Sequence, residues 1–431
     1  MIKVGFDMSA LDPDFKAHAG RGIGRYVGHV AGYLREYLPP DVAIEWFNHN
    51  NLLTSGLCSR LLGLMPVART TIRQQLLYPF KLSTGSLRAA QCVHFPAHMD
   101  GPAWSRKPYI LTVHDLIPLM LDKLYRANRP KWRYELARWL EVTSIRNALL
   151  LLAVSETTAN DVHRLVGVPR DRIVVTPNGV EQSFFDLYKL RHELSPDARI
   201  EVRRRLGLPE GRPIILYVGG HDERKNVPAV VEIASEVVAE CARLGAPQPV
   251  LVLAGKMETP RERDALETAL RNFAMAADTV NLGFVEESDL RALYAESAVF
   301  LFPSLYEGFG LPVLEAMAAG VPVVSSNRGA LAEVAGKAAF LFDPEDVIAG
   351  SQGVLTVLNN PDVARSLTVS GHQQAGLFSW ERTGRLTIEA YRYAAALLSK
   401  HPGQYRKPSD GVRDEDFEAS IAVQSVGNAE R

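Results

Sequence analysis

Three cysteines in 431 residues, Cys58, Cys92 and Cys241, are too few and too scattered for a disulfide framework or a zinc site; their number is odd and no CxxC or Cys/His spacing joins them. A reducing compartment suits that composition. No window reaches the roughly 18 uncharged apolar residues that a spanning helix needs, so any membrane contact is expected to be peripheral. The opening "MIKVGFDMS" lacks the basic and apolar regions of a secretory signal, and the expected location is cytoplasmic. The DxD formula occurs only at Asp12–Asp14, in a Pro-containing loop, and at Asp414–Asp416 near the end of the chain, so no metal is expected.

One sign of charge is missing over a long stretch. Residues 46–99 contain no Asp or Glu, only Arg60, Arg69, Arg73, Lys81 and Arg88 among apolar runs such as "LLGLMPVA" and "QQLLYPF". The net charge of −1 hides an asymmetry: residues 1–180 carry 22 Lys+Arg against 14 Asp+Glu, and the remainder 26 against 35. A basic amphipathic stretch of this kind suits an anionic bilayer surface, each nearby cation contributing on the order of 1 kcal/mol. Helices packed on a sheet with a solvated basic rim are the plainer alternative. Nucleic acid is not an expected partner, because the arginines lack interleaved aromatic platforms.

What the chain does have is rhythm. The short apolar runs "IKVGF", "AIEWF", "CVHF", "YILTV" and "LLLLAV" each precede a longer helical pattern. The second half repeats this with "IILYV", "VLVLAG", "TVNLG", "AVFLF", "VPVVSS" and "AAFLF". Strands alternating with helices imply parallel sheets covered on both faces. The chain also exceeds the roughly 250–300 residues at which single cores stop growing. The expected fold class is therefore α/β with two Rossmann-like, doubly wound domains, at 1–190 and 210–378, joined by the charged link "LSPDARIEVRRRLGLPEGR". A helix at 379–400 follows, and residues 401–431, poor in large apolar side chains, are expected to be disordered.

Ligands of open parallel sheets bind beyond the carboxyl ends of strands. After "IKVGF", the segment "GRGIGRY" sets Gly20, Gly22 and Gly24 before a helix, where backbone N–H groups can approach a phosphate or a sugar. Its spacing is not that of a dinucleotide fingerprint, and a purely structural turn stays open. After "YILTV" stand His114 and Asp115; a lone histidine is commonly structural, but a strand end makes a functional His114 the better reading. After "IILYV", the segment "GGHDERKN" places Arg224 and Lys225 beside a helix start, a grouping able to hold a diphosphate without a metal, or else a solvated charge run.

The segment "SLYEGFGLPVLEAMAAGVPVVS" reads as a loop and a short helix, with Glu307 on the loop, Glu315 in the first helical turn, Pro312 near the helix start and Gly320 just past its end. Two carboxylates would repel a diphosphate, so they read as acceptors for neutral hydroxyls on either side of one. An acid/base pair would make a hydrolase, but such carboxylates normally face each other across a scissile bond rather than sharing one element.

The segment "EGFGLPVLEAMAAGVPVV" resembles the E-x7-E signature of glycosyltransferase family 4, the retaining GT-B enzymes. The likeness extends through "GIGRY", "HDLIPL", "AVSETTANDV", "VTPNGV", "YVGGHDERKN", "NLGFVEESDLRALYAES" and "FSWERTGRLTIEAYR", and is nearest to bacterial mannosyltransferases of O-antigen or exopolysaccharide assembly. It implies two facing domains, no metal or other cofactor, a nucleotide sugar such as GDP-mannose as donor, and a lipid-linked or oligosaccharide acceptor. It implies that Glu307 holds hydroxyls of the donor sugar, Glu315 those of the ribose, and the backbone of Phe309, Gly310 and Leu311 the sugar and phosphates. Arg224 and Lys225 would neutralise the leaving diphosphate, Phe284, Val285 and Leu290 would line the base, and Gly22 and Gly24 would approach the phosphate. His114 would lie beside the reacting sugar, and the closing helix would return to the first domain. Where many relatives have an arginine after the strand-ending glycine, this chain has Gly219–Gly220, so the phosphate charge falls to Arg224 and Lys225. A GT-B sugar-nucleotide epimerase and a non-catalytic sugar-nucleotide-binding scaffold are the competing functions.

Overall fold

The computed structural model describes residues 1–12, 22–48, 82–83, 85–126, 131–193, 195–257 and 259–400. Of the sequence features above, Asp14, Gly20, residues 49–81 of the basic stretch (with Cys58, Arg60, Arg69, Arg73 and Lys81) and everything from residue 401 lie outside them. The chain divides into two compact units, Met1–Asn178 with the segment from Trp380 onward, and Gly179–Ser379.

The first unit is built on six parallel strands, β1 (Ile2–Asp7), β2 (Val42–Phe47), β3 (Cys92–Phe95), β4 (Tyr109–Val113), β5 (Leu150–Ala153) and β6 (Ile173–Val175), in the order β2-β1-β3-β4-β5-β6. β3, β4 and β5 are buried at every position, which is why their sequences run continuously apolar instead of alternating. β6 has only three residues and no distinct apolar run of its own, and sequence periodicity does not isolate it.

Helix Trp380–Lys400 packs on this unit. Its Tyr391 hydroxyl meets His94 Nδ1 at 2.7 Å, and His94 Nε2 meets Thr112 Oγ1 at 2.8 Å, itself 3.2 Å from the Tyr26 hydroxyl on helix Gly22–Glu36. Thr383 donates to the Pro177 carbonyl. The helix thereby closes a buried polar chain across β3 and β4.

The second unit has its own six parallel strands, β7 (Ile214–Val218), β8 (Val250–Ala254), β9 (Thr279–Gly283), β10 (Val299–Phe302), β11 (Val323–Ser326) and β12 (Phe340–Phe342), ordered β12-β11-β10-β7-β8-β9. All six match runs expected from sequence. Local signals mark the helices: Pro228 opens Val227–Leu244 and Gly245, at φ 66°, ends it. Thr259 and Glu262 form a reciprocal cap on Pro260–Asn272.

This unit begins at Gly179, earlier than the expected boundary near 190, because helix Gln182–Glu193 packs on it. Arg191 donates to the carbonyls of Tyr294 (3.1 Å) and Ser297 (2.9 Å), and the Tyr188 ring stacks on His372. Charge and proline content mark the following link in the sequence, but contacts distant in the chain set the boundary.

Candidate active site

In the second sheet the chain proceeds from β7 to β8 and β9 on one side and then returns to β10 on the other, so β7 and β10 form the topological switch point. Their carboxyl ends are where a ligand is expected. β7 leaves through Gly219 and Gly220, makes a tight turn at Glu223–Lys225 and reaches Asn226 in the left-handed region, φ 55°. The Asp222 carboxylate caps that turn by accepting from Arg224 N at 3.1 Å. Glycine is required where two loops cross: a Cβ on Gly255, at the end of β8, would overlap the Gly219 carbonyl.

The loop after β10 is tied directly to this turn. Leu305 N donates to the Arg224 carbonyl at 2.7 Å, and Ser304 Oγ lies 3.1 Å from the same oxygen. The tie brings Glu307 between two cations. Its Oε1 lies 2.8 Å from Arg224 Nη1 and 2.6 Å from Lys225 Nζ, and accepts from Ser304 Oγ at 2.7 Å. Among the described residues none hydrogen-bonds Oε2. The loop after β11 clamps the same backbone: Ala330 N donates to the Glu307 carbonyl at 3.0 Å, and Gly329, φ 61°, sits so close that a Cβ would lie 2.6 Å from that oxygen.

Glu307 is 8% exposed. Burial pushes its carboxyl up, but Arg224, Lys225 and Ser304 more than offset this and hold it down at about 2. Burial lowers the Lys225 ammonium, with Glu307 opposing. With the Asp222 carboxylate 3.6 Å from Arg224 Nε, the cluster sets two cations against two carboxylates at a strand end, a guanidinium and an ammonium of the kind that bind anions.

Glu315 occupies different ground. It is the fifth residue of helix Leu311–Ala318, which corrects the expected first-turn position, and it is 2% exposed with Oε2 accepting from the Tyr294 hydroxyl at 3.0 Å. Pro312 and Gly320 flank the helix as expected, Gly320 at φ 72°. Gly310 at φ 106° leads into Leu311, and the buried Phe309 ring meets Phe378 edge-on at 5.7 Å. Phe284 is exposed, and Val285 and Leu290 half-buried, beyond β9 at the sheet's far edge.

Gly22, Gly24 and His114 belong to the first unit. Gly22 opens helix Gly22–Glu36, where Gly24 is buried. His114 follows β4, 8% exposed, with Nε2 bonded to the Pro96 carbonyl at 2.7 Å and its ring edge-on to Tyr26 at 4.9 Å. A carbonyl can only accept, so Nε2 carries the proton. Beside it the buried pair His98 Nε2–Glu141 Oε1, at 3.1 Å, went unrecognised in the sequence. Burial lowers the affinity of His98 for its proton, but Glu141 reverses this and the net shift is upward.

Residues 198–374 match the family model "Glycosyl transferases group 1", and residues 56–184 the model "Glycosyltransferase Family 4". The chain is 35% identical over 286 residues to O-antigen chain mannosyltransferase B of Escherichia coli, an alignment covering 66% of this chain and 70% of that one. The chain belongs to glycosyltransferase family 4. This glycosyltransferase is also 29% identical to the alpha-maltose-1-phosphate synthase of Mycolicibacterium smegmatis, across 67% of this chain and 74% of that one. Sucrose-phosphate synthase from Thermosynechococcus elongatus superposes with a TM-score of 0.69 at 22% identity, over 92% of this chain and 100% of the other. That likeness shows the fold, the α/β GT-B architecture.

Within the second unit of the transferase, Arg224, Lys225 and Glu307 come together, with Gly219 and Gly220 leading into them. Glu315 stands apart on Tyr294. The sequence reading passed over Ser304, Gly255 and Gly329. Ser304 could have been found from its spacing, three residues before Glu307; the two glycines act through contacts between loops distant in the chain.

Proposed function

We propose that this glycosyltransferase moves a hexosyl group from a nucleotide sugar, mannose from GDP-mannose, to a lipid-linked or saccharide acceptor of bacterial surface polysaccharide, with retention and without a metal. The observation that carries the reading is the Glu307 carboxylate held between Arg224 and Lys225 at the switch point of a parallel sheet. A nucleoside diphosphate supplies the anion that such a site favours, and its two cations supply the charge that a metal would otherwise bring. Mannose is supported by the name of the O-antigen relative.

In this reading the bond between the anomeric carbon and the donor phosphate breaks as the acceptor oxygen bonds the same face of the sugar. The departing phosphate oxygen takes the acceptor's proton. Arg224 and Lys225 stabilise the charge that develops on the diphosphate. Glu307 offers Oε2 to hydroxyls of the sugar while Oε1 stays locked on the cations, and Glu315 serves the ribose. His114 lies beside the reacting sugar, Phe284, Val285 and Leu290 line the base, and the basic stretch 46–99 rests on an anionic membrane at the cytoplasmic face. A second reading keeps the reaction and changes the donor, since other relatives are named for maltose 1-phosphate and sucrose phosphate.

Thermal unfolding with GDP, UDP, ADP and their sugar conjugates, all with chelator present, tests this, because a ligand of the native state raises apparent stability. Selective stabilisation by GDP and GDP-mannose is expected. Selectivity for UDP or ADP compounds overturns the mannosyl donor, and stabilisation that needs a divalent cation overturns metal independence.

A further inference from the structure

One buried histidine in the loop before the Arg224–Lys225 turn carries no assigned role. His221 lies on the loop after β7, between Gly220 and the turn that carries Arg224 and Lys225. It is 6% exposed, and among the described residues neither ring nitrogen has a hydrogen-bond partner. Buried polar atoms in folded proteins are almost always satisfied, so two orphans in one ring call for a physical reason.

The surroundings narrow the reason. The imidazole meets the Tyr217 ring edge-on at 6.4 Å, and the Tyr217 hydroxyl donates to the Gly220 carbonyl at 2.7 Å, fixing the backbone just before His221. On the far side, Arg261 at the start of helix Pro260–Asn272 pairs with Glu223 at 2.6 Å, tying that helix to the cationic turn. Burial disfavours the imidazolium, and Glu262 only partly offsets it, so the ring is neutral near pH 7 with one N–H donor and one bare acceptor. A packing role would be filled better by an apolar ring, which leaves nothing unsatisfied.

We propose that His221 is a donor-binding residue whose two ring nitrogens are satisfied by a bound nucleoside diphosphate. The phosphate oxygens of that ligand class accept from the imidazole N–H, and a ribose hydroxyl donates to the other nitrogen. The position agrees with this: His221 directly precedes the Asp222-capped turn that sets Arg224 and Lys225 on Glu307. The inference rests on the transferase reading and adds to it a neutral hydrogen-bonding residue beside the two cations.

The test is calorimetric titration of the full chain with GDP and, in parallel, UDP, comparing wild type, His221→Phe and His221→Gln, with thermal unfolding of each ligand-free protein. His221→Phe is expected to bind the nucleotide preferred by wild type about ten-fold more weakly, the loss of a hydrogen bond to a charged group. Its ligand-free Tm is expected to equal or exceed that of wild type. His221→Gln, which keeps a donor and an acceptor, is expected to bind more tightly than the Phe variant. Wild-type affinity in His221→Phe overturns the proposal and leaves the transferase reading intact. A Phe variant that loses affinity only together with ligand-free stability assigns the imidazole to the fold and also overturns the proposal. A wild-type protein that binds neither nucleotide removes both the inference and the donor site on which it rests.

Discussion

The two sheets are alike in strand number and direction, yet a buried network in each treats charge in opposite ways. In the first unit His94 is fully buried between Tyr391 and Thr112, and burial pushes its imidazole down to about 3, so the network is neutral. In the second, Glu307 is nearly as buried, but its cationic neighbours outweigh burial and hold it charged, down at about 2. Desolvation opposes charge in both places, and the neighbours decide the outcome. Hydroxyl partners make a neutral link that holds a helix to a sheet; ammonium and guanidinium partners make a cluster that stays charged. Strand order reinforces the contrast. The first sheet reverses direction between β1 and β3, with His114 one strand further on, whereas the second reverses at β7 and β10, where its charges stand.

The contrast is broken most completely at Glu307. Glu307→Ala should lower the rate of sugar transfer by about 10²–10³-fold, as losing one preorganised electrostatic group does. The chain should stay folded, because Arg224 and Lys225 retain exposed edges of 20% and 11% and can be solvated. Transfer by the variant at a near wild-type rate, measured with a radiolabelled nucleotide sugar, would contradict the role assigned to the carboxylate.

The next largest effect belongs to the neutral network. His94→Leu should cost about 2 kcal/mol of stability, because the Tyr391 and Thr112 hydroxyls are left buried with a partner removed. Nucleoside diphosphate affinity should not change. Denaturant unfolding and calorimetry together check this, and a large change in affinity at constant stability would dissolve the distinction between the two networks.

The smallest effect sharpens the comparison through pH. Glu307 titrates near 4.5 when unperturbed and at about 2 in the fold, so its contribution is present above 4.5 and declines as pH falls toward 2. The loss should be on the order of 1 kcal/mol by pH 3.5 and should be absent from Glu307→Gln. His94 acts with the same sign over a higher range: its depressed imidazole disfavours the fold wherever the unfolded histidine is charged, below about 6.5. Acid denaturation curves of Glu307→Gln and His94→Leu should therefore separate the two contributions, and identical acid limbs for wild type and Glu307→Gln would refute the first.

Much of this architecture was legible because buried parallel strands write themselves as continuous apolar runs. Eleven such runs stand out, and β6, with three residues, does not. Glu307, Arg224 and Lys225 could be picked out as candidates because charge beside glycine at a strand end has few structural uses. Their mutual geometry could not, since it depends on Ser304 and Leu305 reaching the Arg224 carbonyl across 80 residues of chain. Glu315 shows the opposite case: the helix was evident, but its burial against Tyr294 was not. His94 lies between Val93 and Phe95 and His221 between Gly220 and Asp222, but neither setting tells which imidazole finds partners; among the described residues His94 has two and His221 none.

The return of helix Trp380–Lys400 to the first sheet has a consequence for the order of events at the ribosome. The second unit, Gly179–Ser379, is one continuous stretch and can close on itself as soon as it has emerged. The first unit is written in two pieces, and until Tyr391 follows, His94 waits in its sheet without that hydroxyl. The segment translated first is thus the one completed last, and a chain stopped short of Tyr391 would carry a finished second unit behind an unfinished first.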